Sequence, residues 1–378
     1  MNILYTLGAK FGGTGIGRTA EKSVAQVSKE HNLKVAAYGF DDNVANDFAQ
    51  ININRPFRWP FSNKKQYRLK RAKAFDNAVA NLIENDTNIL HSWNGHCLES
   101  LKKARQLGMT TIVTRASSHM LTQMKLIEEE FERYGISRDV ELQTMIDRCV
   151  EEYEYADYIQ VPSEFVKDSF LKRSFPAEKL IYSPFGVDFA KYRQSDGIQK
   201  GFKILFVGRI GLRKGCQYLL EAYKRLDLEG AELVLLGNIE PGFEKVLAKY
   251  RNLKGFNLPG FVKDPAELYA SSSVFVFPSI EEGSALVTYE AMASGLPLVT
   301  TFNSGSLVRD GVDGYIVPIR DVDGICEKIQ ILYNDKNMAK EMGNKGREFI
   351  SEYSWERYGR TIAGYYRKIE ENRNAART

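Results

Sequence analysis

Two glutamates eight residues apart, Glu282 and Glu290, stand in the segment FPSIEEGSALVTYEAMASGLP at 277–297. An apolar run, Val274 to Phe277, leads into it, and Gly295 followed by Pro297 ends it as a helix C-terminus ends. Two carboxylates bordering one cleft can accept hydrogen bonds from diols, which need paired acceptors. Between them Gly283, Ser284 and Ala285 let the backbone come close to a ligand. The free N–H groups that open the helix, through Leu286, suit a phosphate or a sugar hydroxyl.

A second cluster, VGRIGLRKG at 207–215, also runs from a strand through a short basic loop into a helix. Arg209 offers a planar fork and Lys214 a point charge, a combination that suits a diphosphate near a helix N-terminus. Alone, such a loop is explained as well by solvated charge. Beside the Glu-bearing loop it outlines an anion site.

The first half is less explicit. Gly12 to Gly17, with Gly13 and Gly15, follows the first strand and opens a helix, but its spacing is not GxGxxG. Three of the histidines, His91, His96 and His119, fall at or beyond strand ends. The segment Arg55 to Lys73 holds eight basic residues, no acid, and Phe57, Trp59 and Phe61. It reads as a solvated face, a surface for anionic lipid, or a grip on an anionic acceptor.

These loops need elements to hold them. Strands are expected near 2–7, 34–39, 88–91, 110–114 and 158–161, with helical periodicity between them. A polar, turn-rich connector covers 183–201. A second series follows at 203–208, 232–236, 274–277, 297–301 and 315–317. Alternation of this kind predicts an α/β fold with two parallel sheets. At 378 residues the chain suits two domains, and 43% apolar with 26% charged residues is a soluble globular composition. A net charge of +4 argues against a nucleic-acid partner. Four scattered cysteines without CxxC read as reduced thiols of a cytoplasmic protein. The N-terminus reads as a first strand rather than a signal peptide, and no apolar run spans a membrane. Asp321-Val322-Asp323 has DxD form but reads as the start of a helix, so no metal site is expected.

In order and spacing, VGRIGLRKG, LPGFVKDPAELYASSSVFVFPS, EEGSALVTYEAMASGLPLV and GSLVRDGVDGYIVP resemble family 4 of the retaining GT-B glycosyltransferases (glycosyl transferases group 1) over about 202–320. The resemblance implies two doubly wound Rossmann-like domains facing a cleft. They are an acceptor-side domain at 1–195 and a nucleotide-sugar domain at 196–352, with a terminal helix at 353–378 crossing back to the first. It implies that Arg209 and Lys214 bind the donor diphosphate, Glu290 the ribose and Glu282 the donor sugar. By the same resemblance the amides of Gly283, Ser284, Ala285 and Leu286 meet sugar and phosphate, and Phe261 and Val262 seat the base. Gly13 and Gly15 face the cleft, and His119 contacts the sugar near its anomeric centre. His119, Glu282, Arg209 and Lys214 then form the catalytic set. The implied reaction moves a sugar from a UDP- or GDP-type donor to a hydroxyl with retention, requiring no metal or cofactor. Many relatives carry an aromatic where this chain has Ser284.

The acceptor, whether polysaccharide, lipid-linked or small, stays open, as do the base and the sugar. If the basic segment binds lipid, the protein would sit at the inner face of the membrane. Another GT-B enzyme such as a nucleotide-sugar epimerase, and a non-catalytic binding module, remain as alternatives. A glycogen-type phosphorylase would need a pyridoxal-phosphate lysine, for which no motif is found.

Overall fold

The computed structural model describes residues 1–44, 47–137, 141–194 and 201–375. The expected domain boundary between 195 and 196 and the last residues of the terminal segment lie outside the described residues. Among the described residues the strands form two sheets. The first contains β1 (Asn2–Leu7), β2 (Asn32–Ala37), β3 (Ala49–Asn52), β4 (Ile89–Trp93), β5 (Thr110–Thr114), β6 (Tyr158–Val161) and β7 (Leu180–Tyr182), in the order β3-β2-β1-β4-β5-β6-β7. The second contains β8 (Phe202–Val207), β9 (Ala231–Leu236), β10 (Phe256–Gly260), β11 (Val274–Phe277), β12 (Leu298–Thr301) and β13 (Gly314–Val317), in the order β10-β9-β8-β11-β12-β13. Neighbouring strands are parallel throughout.

Helices cover both faces of each sheet, so the central strands are buried along their length and mostly apolar rather than alternating. Every residue of β4, β11 and β12 is buried. That is why these strands are legible in the sequence. Three strands were not expected: β3, β7 and β10. All are edge strands. β3 and β10 contain no fully buried residue, so they leave no apolar run to find. Pro259 sits within β10, where the missing N–H falls at a sheet edge.

In each sheet the strand order reverses beside its first strand, between β1 and β4 and between β8 and β11. Connections leave such a point toward opposite faces and open a crevice at the carboxyl ends of the strands.

The terminal helix Trp355–Ala375 packs on the first domain, although it follows the second in sequence. Its Gly359 lies against Gln26 and the Lys22 carbonyl of the helix Gly15–Val27, too close for a side chain. Tyr358 accepts a hydrogen bond from Gln160 Nε2 at 2.9 Å, and the Tyr366 hydroxyl meets the buried His91 ring. Arg373 donates to the Asn88 carbonyl at 3.1 Å. No helix among the described residues is long and apolar enough to cross a membrane.

Candidate functional site

The two crevices share one cleft of about 640 Å³, within the range usual for ligand sites. From the first domain come Gly15, Ile16 and Thr19 after β1, Trp93 at the end of β4, and Ala116 after β5. From the second come Gly208, Arg209, Arg213 and Lys214 after β8, Glu240 after β9, and Phe277, Glu282 and Ser284 to Val287 after β11.

Close packing of two loops creates the charged centre. Gly215 has φ +70° and abuts the Pro278 carbonyl where a Cβ would overlap it, so a glycine is required there. This contact brings the 209–214 loop alongside the 278–285 loop. Lys214 Nζ touches the Glu282 carboxylate and lies 5.6 Å from the centre of the Phe277 ring. Arg213 reaches Glu281 at 3.0 Å and Glu282 at 3.7 Å. Burial, reinforced by the Arg213 charge, pulls the Lys214 ammonium down to about 7, and the Glu281 carboxylate offsets part of that shift. Arg209 is exposed and has no ion-pair partner among the described residues.

The helix Leu286–Ala293 begins in the same cleft. Its N-cap, Ala285, provides no side-chain cap, and its first turn carries no acid. An open helix N-terminus beside two or three cations is a receptor for an anion.

The structure therefore brings Gly15, Arg209, Lys214, Glu282, Ser284, Ala285 and Leu286 together, as expected from sequence. It does not bring every expected residue there. Glu290 lies one turn beyond the cleft lining, where Tyr269 donates to it at 2.9 Å and Tyr192 also bonds it. Burial pushes its carboxyl up, and the tyrosine bonds offset part of that shift. Gly13 faces Asp41. Phe261 is 70% exposed, beyond the end of β10, and neither it nor Val262 lines the cleft.

Gly283 was expected to admit a ligand, yet its Cα abuts the Ala116 carbonyl of the other domain, leaving no room for a Cβ. Its own carbonyl accepts from Ser163 Oγ. The Ala285 amide is likewise occupied, donating to the Ser304 carbonyl at 3.0 Å.

His119 is also elsewhere. It is buried between the rings of Tyr153 and Phe170, with centroids 4.9 and 5.0 Å away. Its Nδ1 accepts from the Leu121 amide and caps the helix Met120–Arg133. Burial, then the charges of Arg173 and Arg115, drop its pKa to about 3, so the ring is neutral. His119→Ala is expected to lower thermal stability by about 0.5–2 kcal/mol through the lost cap, with kcat retained in the folded fraction. A kcat collapse without a change in Tm would contradict this placement.

Several cleft residues gave no signal of their own. Arg213, Trp93 and Glu240 are ordinary residues in sequence, although Arg213 adjoins an expected one. A smaller recess of about 130 Å³ shares Ile16, Trp93 and Ala116 with the cleft and adds Gly8, Asn94, His96 and Arg115. Here His96 lies over Gly8, where a Cβ would collide with its ring. Asp321, by contrast, caps the helix Val322–Asn334 by accepting from the Gly324 amide at 2.9 Å.

Two parallel-sheet Rossmann-like domains, with the charged site between them, make this a GT-B fold. The chain superimposes on sucrose-phosphate synthase from Thermosynechococcus elongatus with a TM-score of 0.72 at 19% identity, covering 98% of this chain and 99% of that one. With Anabaena HepE crystallised in complex with UDP, the TM-score is 0.70 at 14% identity, covering 97% and 100%. Residues 201–335 match the protein family described as Glycosyl transferases group 1. The capsular polysaccharide biosynthesis glycosyltransferase CapM of Staphylococcus aureus is 31% identical over 192 residues, 45% of this chain and 50% of that protein. The chain thus spans about half the length of the curated relatives it matches.

Proposed function

We propose that this protein is a glycosyltransferase that takes a sugar from a nucleoside diphosphate donor, of UDP or GDP type, and passes it to a hydroxyl. The observation that carries the reading is the convergence of Lys214, Arg213 and Arg209 with Glu282 at an uncapped helix N-terminus between two Rossmann-like domains. The match of residues 201–335, which contain this cluster, supports it. So does the UDP complex of HepE, a protein of the same fold.

In this reading the cations and the Leu286–Ala293 helix terminus stabilise charge that builds on the departing diphosphate. Glu282 accepts hydrogen bonds from the donor sugar. Retention of configuration follows from the family resemblance and belongs to the proposal. A thermal-shift panel of nucleotide sugars, followed by donor hydrolysis and product NMR, tests it. Stabilisation by at least one donor with release of nucleoside diphosphate supports transfer. Interconversion of sugars without release would favour an epimerase, and binding without turnover a binding module.

Glu290 is assigned the ribose hydroxyls, held in place by Tyr269 and Tyr192. Glu290→Gln is expected to weaken UDP or GDP binding about fivefold, near 1 kcal/mol, the ordinary worth of one hydrogen bond. Calorimetry showing wild-type affinity would leave Glu290 a purely internal anchor.

The membrane belongs to the same proposal. Phe57, Trp59 and Phe61 are 69%, 71% and 101% exposed, in the segment that follows β3. Arg55, Arg58, Lys64, Lys70 and Lys73 are exposed around and after them. The segment leaves the first sheet at the carboxyl end of β3, the same edge from which Gly15 and Trp93 enter the cleft. Apolar wedges ringed by cations suit an anionic bilayer, and this position would bring a lipid-linked acceptor toward the site.

A further inference from the structure

Glu281 has no solvent exposure, yet nothing in the cleft requires it. Its carboxylate belongs to the second domain and is spent mostly on the first. Oε1 accepts from the Ser118 amide at 3.0 Å and from Ser118 Oγ at 2.8 Å, and Oε2 accepts from Gln123 Nε2 at 3.1 Å. Within its own domain it pairs with Arg213, whose Nη2 lies 3.0 Å from Oε2 and whose Nε donates to the Glu281 carbonyl at 3.0 Å.

A reciprocal contact stands at the far end of the helix Met120–Arg133. There Glu130, a buried carboxylate of the first domain, accepts from Gln217 Nε2 at 2.8 Å, Tyr218 Oη at 2.5 Å and Arg320 Nε at 2.7 Å, all in the second domain. Each domain thus lends one buried carboxylate to the other, one at each end of a single helix. A charge in such a place is tolerated only while all its donors are present. Opening the cleft would take Ser118 and Gln123 from Glu281, leaving it Arg213, and would take Gln217, Tyr218 and Arg320 from Glu130.

We propose that Glu281 is a positioning residue that links closure of the two domains to the arrangement of the donor cations. When the domains close, Ser118 and Gln123 fix the Glu281 carboxylate. The fixed carboxylate orients Arg213, and the next residue, Glu282, is set against Lys214. Glu281 does not touch the donor; it acts through Arg213 and through the loop it shares with Glu282. This inference rests on the donor site proposed above, but its first test requires no donor.

The full chain would be compared with Glu281→Ala, Glu281→Gln and Gln123→Ala by hydrogen exchange at Ser118 and by small-angle scattering. Kinetics would use whichever nucleotide sugar the wild type hydrolyses, with UDP and GDP as binding probes. In Glu281→Ala the Ser118 amide should exchange at least about fivefold faster, as expected for a buried donor that loses its acceptor, and the radius of gyration should rise. The loss in kcat should exceed the loss in UDP or GDP affinity. Glu281→Gln keeps an acceptor for Ser118 and should recover closure, while kcat, deprived of the Arg213 ion pair, recovers only in part. Gln123→Ala removes a single contact at the seam and should shift exchange in the same direction by less; it serves if Glu281→Ala does not fold. Wild-type exchange at Ser118 in a folded variant overturns the proposal, as does an opened molecule with wild-type kcat. A wild type that binds no nucleotide removes the donor reading, whereas exchange and scattering still decide the clasp.

Discussion

Lys214→Ala is expected to weaken UDP or GDP binding by about 10- to 150-fold, the loss of roughly 1.5–3 kcal/mol for a charge-assisted contact. Glu282→Gln should move the same measurement the other way. Lys214 is in contact with Glu282, so a diphosphate must compete with a carboxylate for the ammonium. A neutral amide competes less, and free nucleotide should bind as tightly as in the wild type or tighter. Turnover of the full donor should nevertheless fall in Glu282→Gln, because the sugar loses a charged acceptor that matters in the transition state. Arg209→Ala should behave like Lys214→Ala but more mildly, since Arg209 is exposed and its charge is screened by water. Calorimetry on the three variants separates these outcomes. If Glu282→Gln weakens free nucleotide as strongly as Lys214→Ala does, the two residues act as one fixed platform and the exchange of partners is wrong.

Wild-type protein is expected to co-sediment with anionic vesicles at low salt and to be released as salt rises. Each cation near such a surface contributes about 1 kcal/mol, and salt screens that attraction. The sign of the aromatic contribution can be tested separately. Replacing Phe57, Trp59 and Phe61 with Ser leaves the charges in place, so initial attraction should survive while binding becomes shallow and more salt-sensitive. Replacing Lys64, Lys70 and Lys73 with Ser should abolish the low-salt binding. The aromatics are already paid for by no core: Phe57 and Trp59 pack edge-on against each other at 5.3 Å and otherwise face solvent. Their removal should therefore leave Tm nearly unchanged. Absence of binding to anionic vesicles at low salt would end the membrane reading and leave the segment as an acceptor grip or a solvated face.

The sequence by itself determined the parts of this molecule that depend on local pattern. Strands buried along their whole length are mostly apolar, so β11 stands out as a run and β4 and β12 are led by apolar pairs. A loop that ends a strand and starts a helix carries its own turn residues, so the neighbourhoods of Lys214 and Glu282 are legible in the sequence. Edge strands such as β3 and β10 carry no such run, because one side of each faces no neighbour.

What only the tertiary structure decided is which of those residues meet. His119 follows an apolar strand as a cleft histidine would, but Tyr153 and Phe170, 34 and 51 positions along the chain, enclose its ring. Gly283 looks like a ligand-facing glycine until the Ala116 carbonyl of the other domain occupies the space where its side chain would be. Glu281 looks like a surface acid beside the more telling Glu282, and only closure onto Ser118 makes it a buried clasp. In each case the deciding partner is distant in sequence and belongs to another element, so no spacing within one segment could encode it.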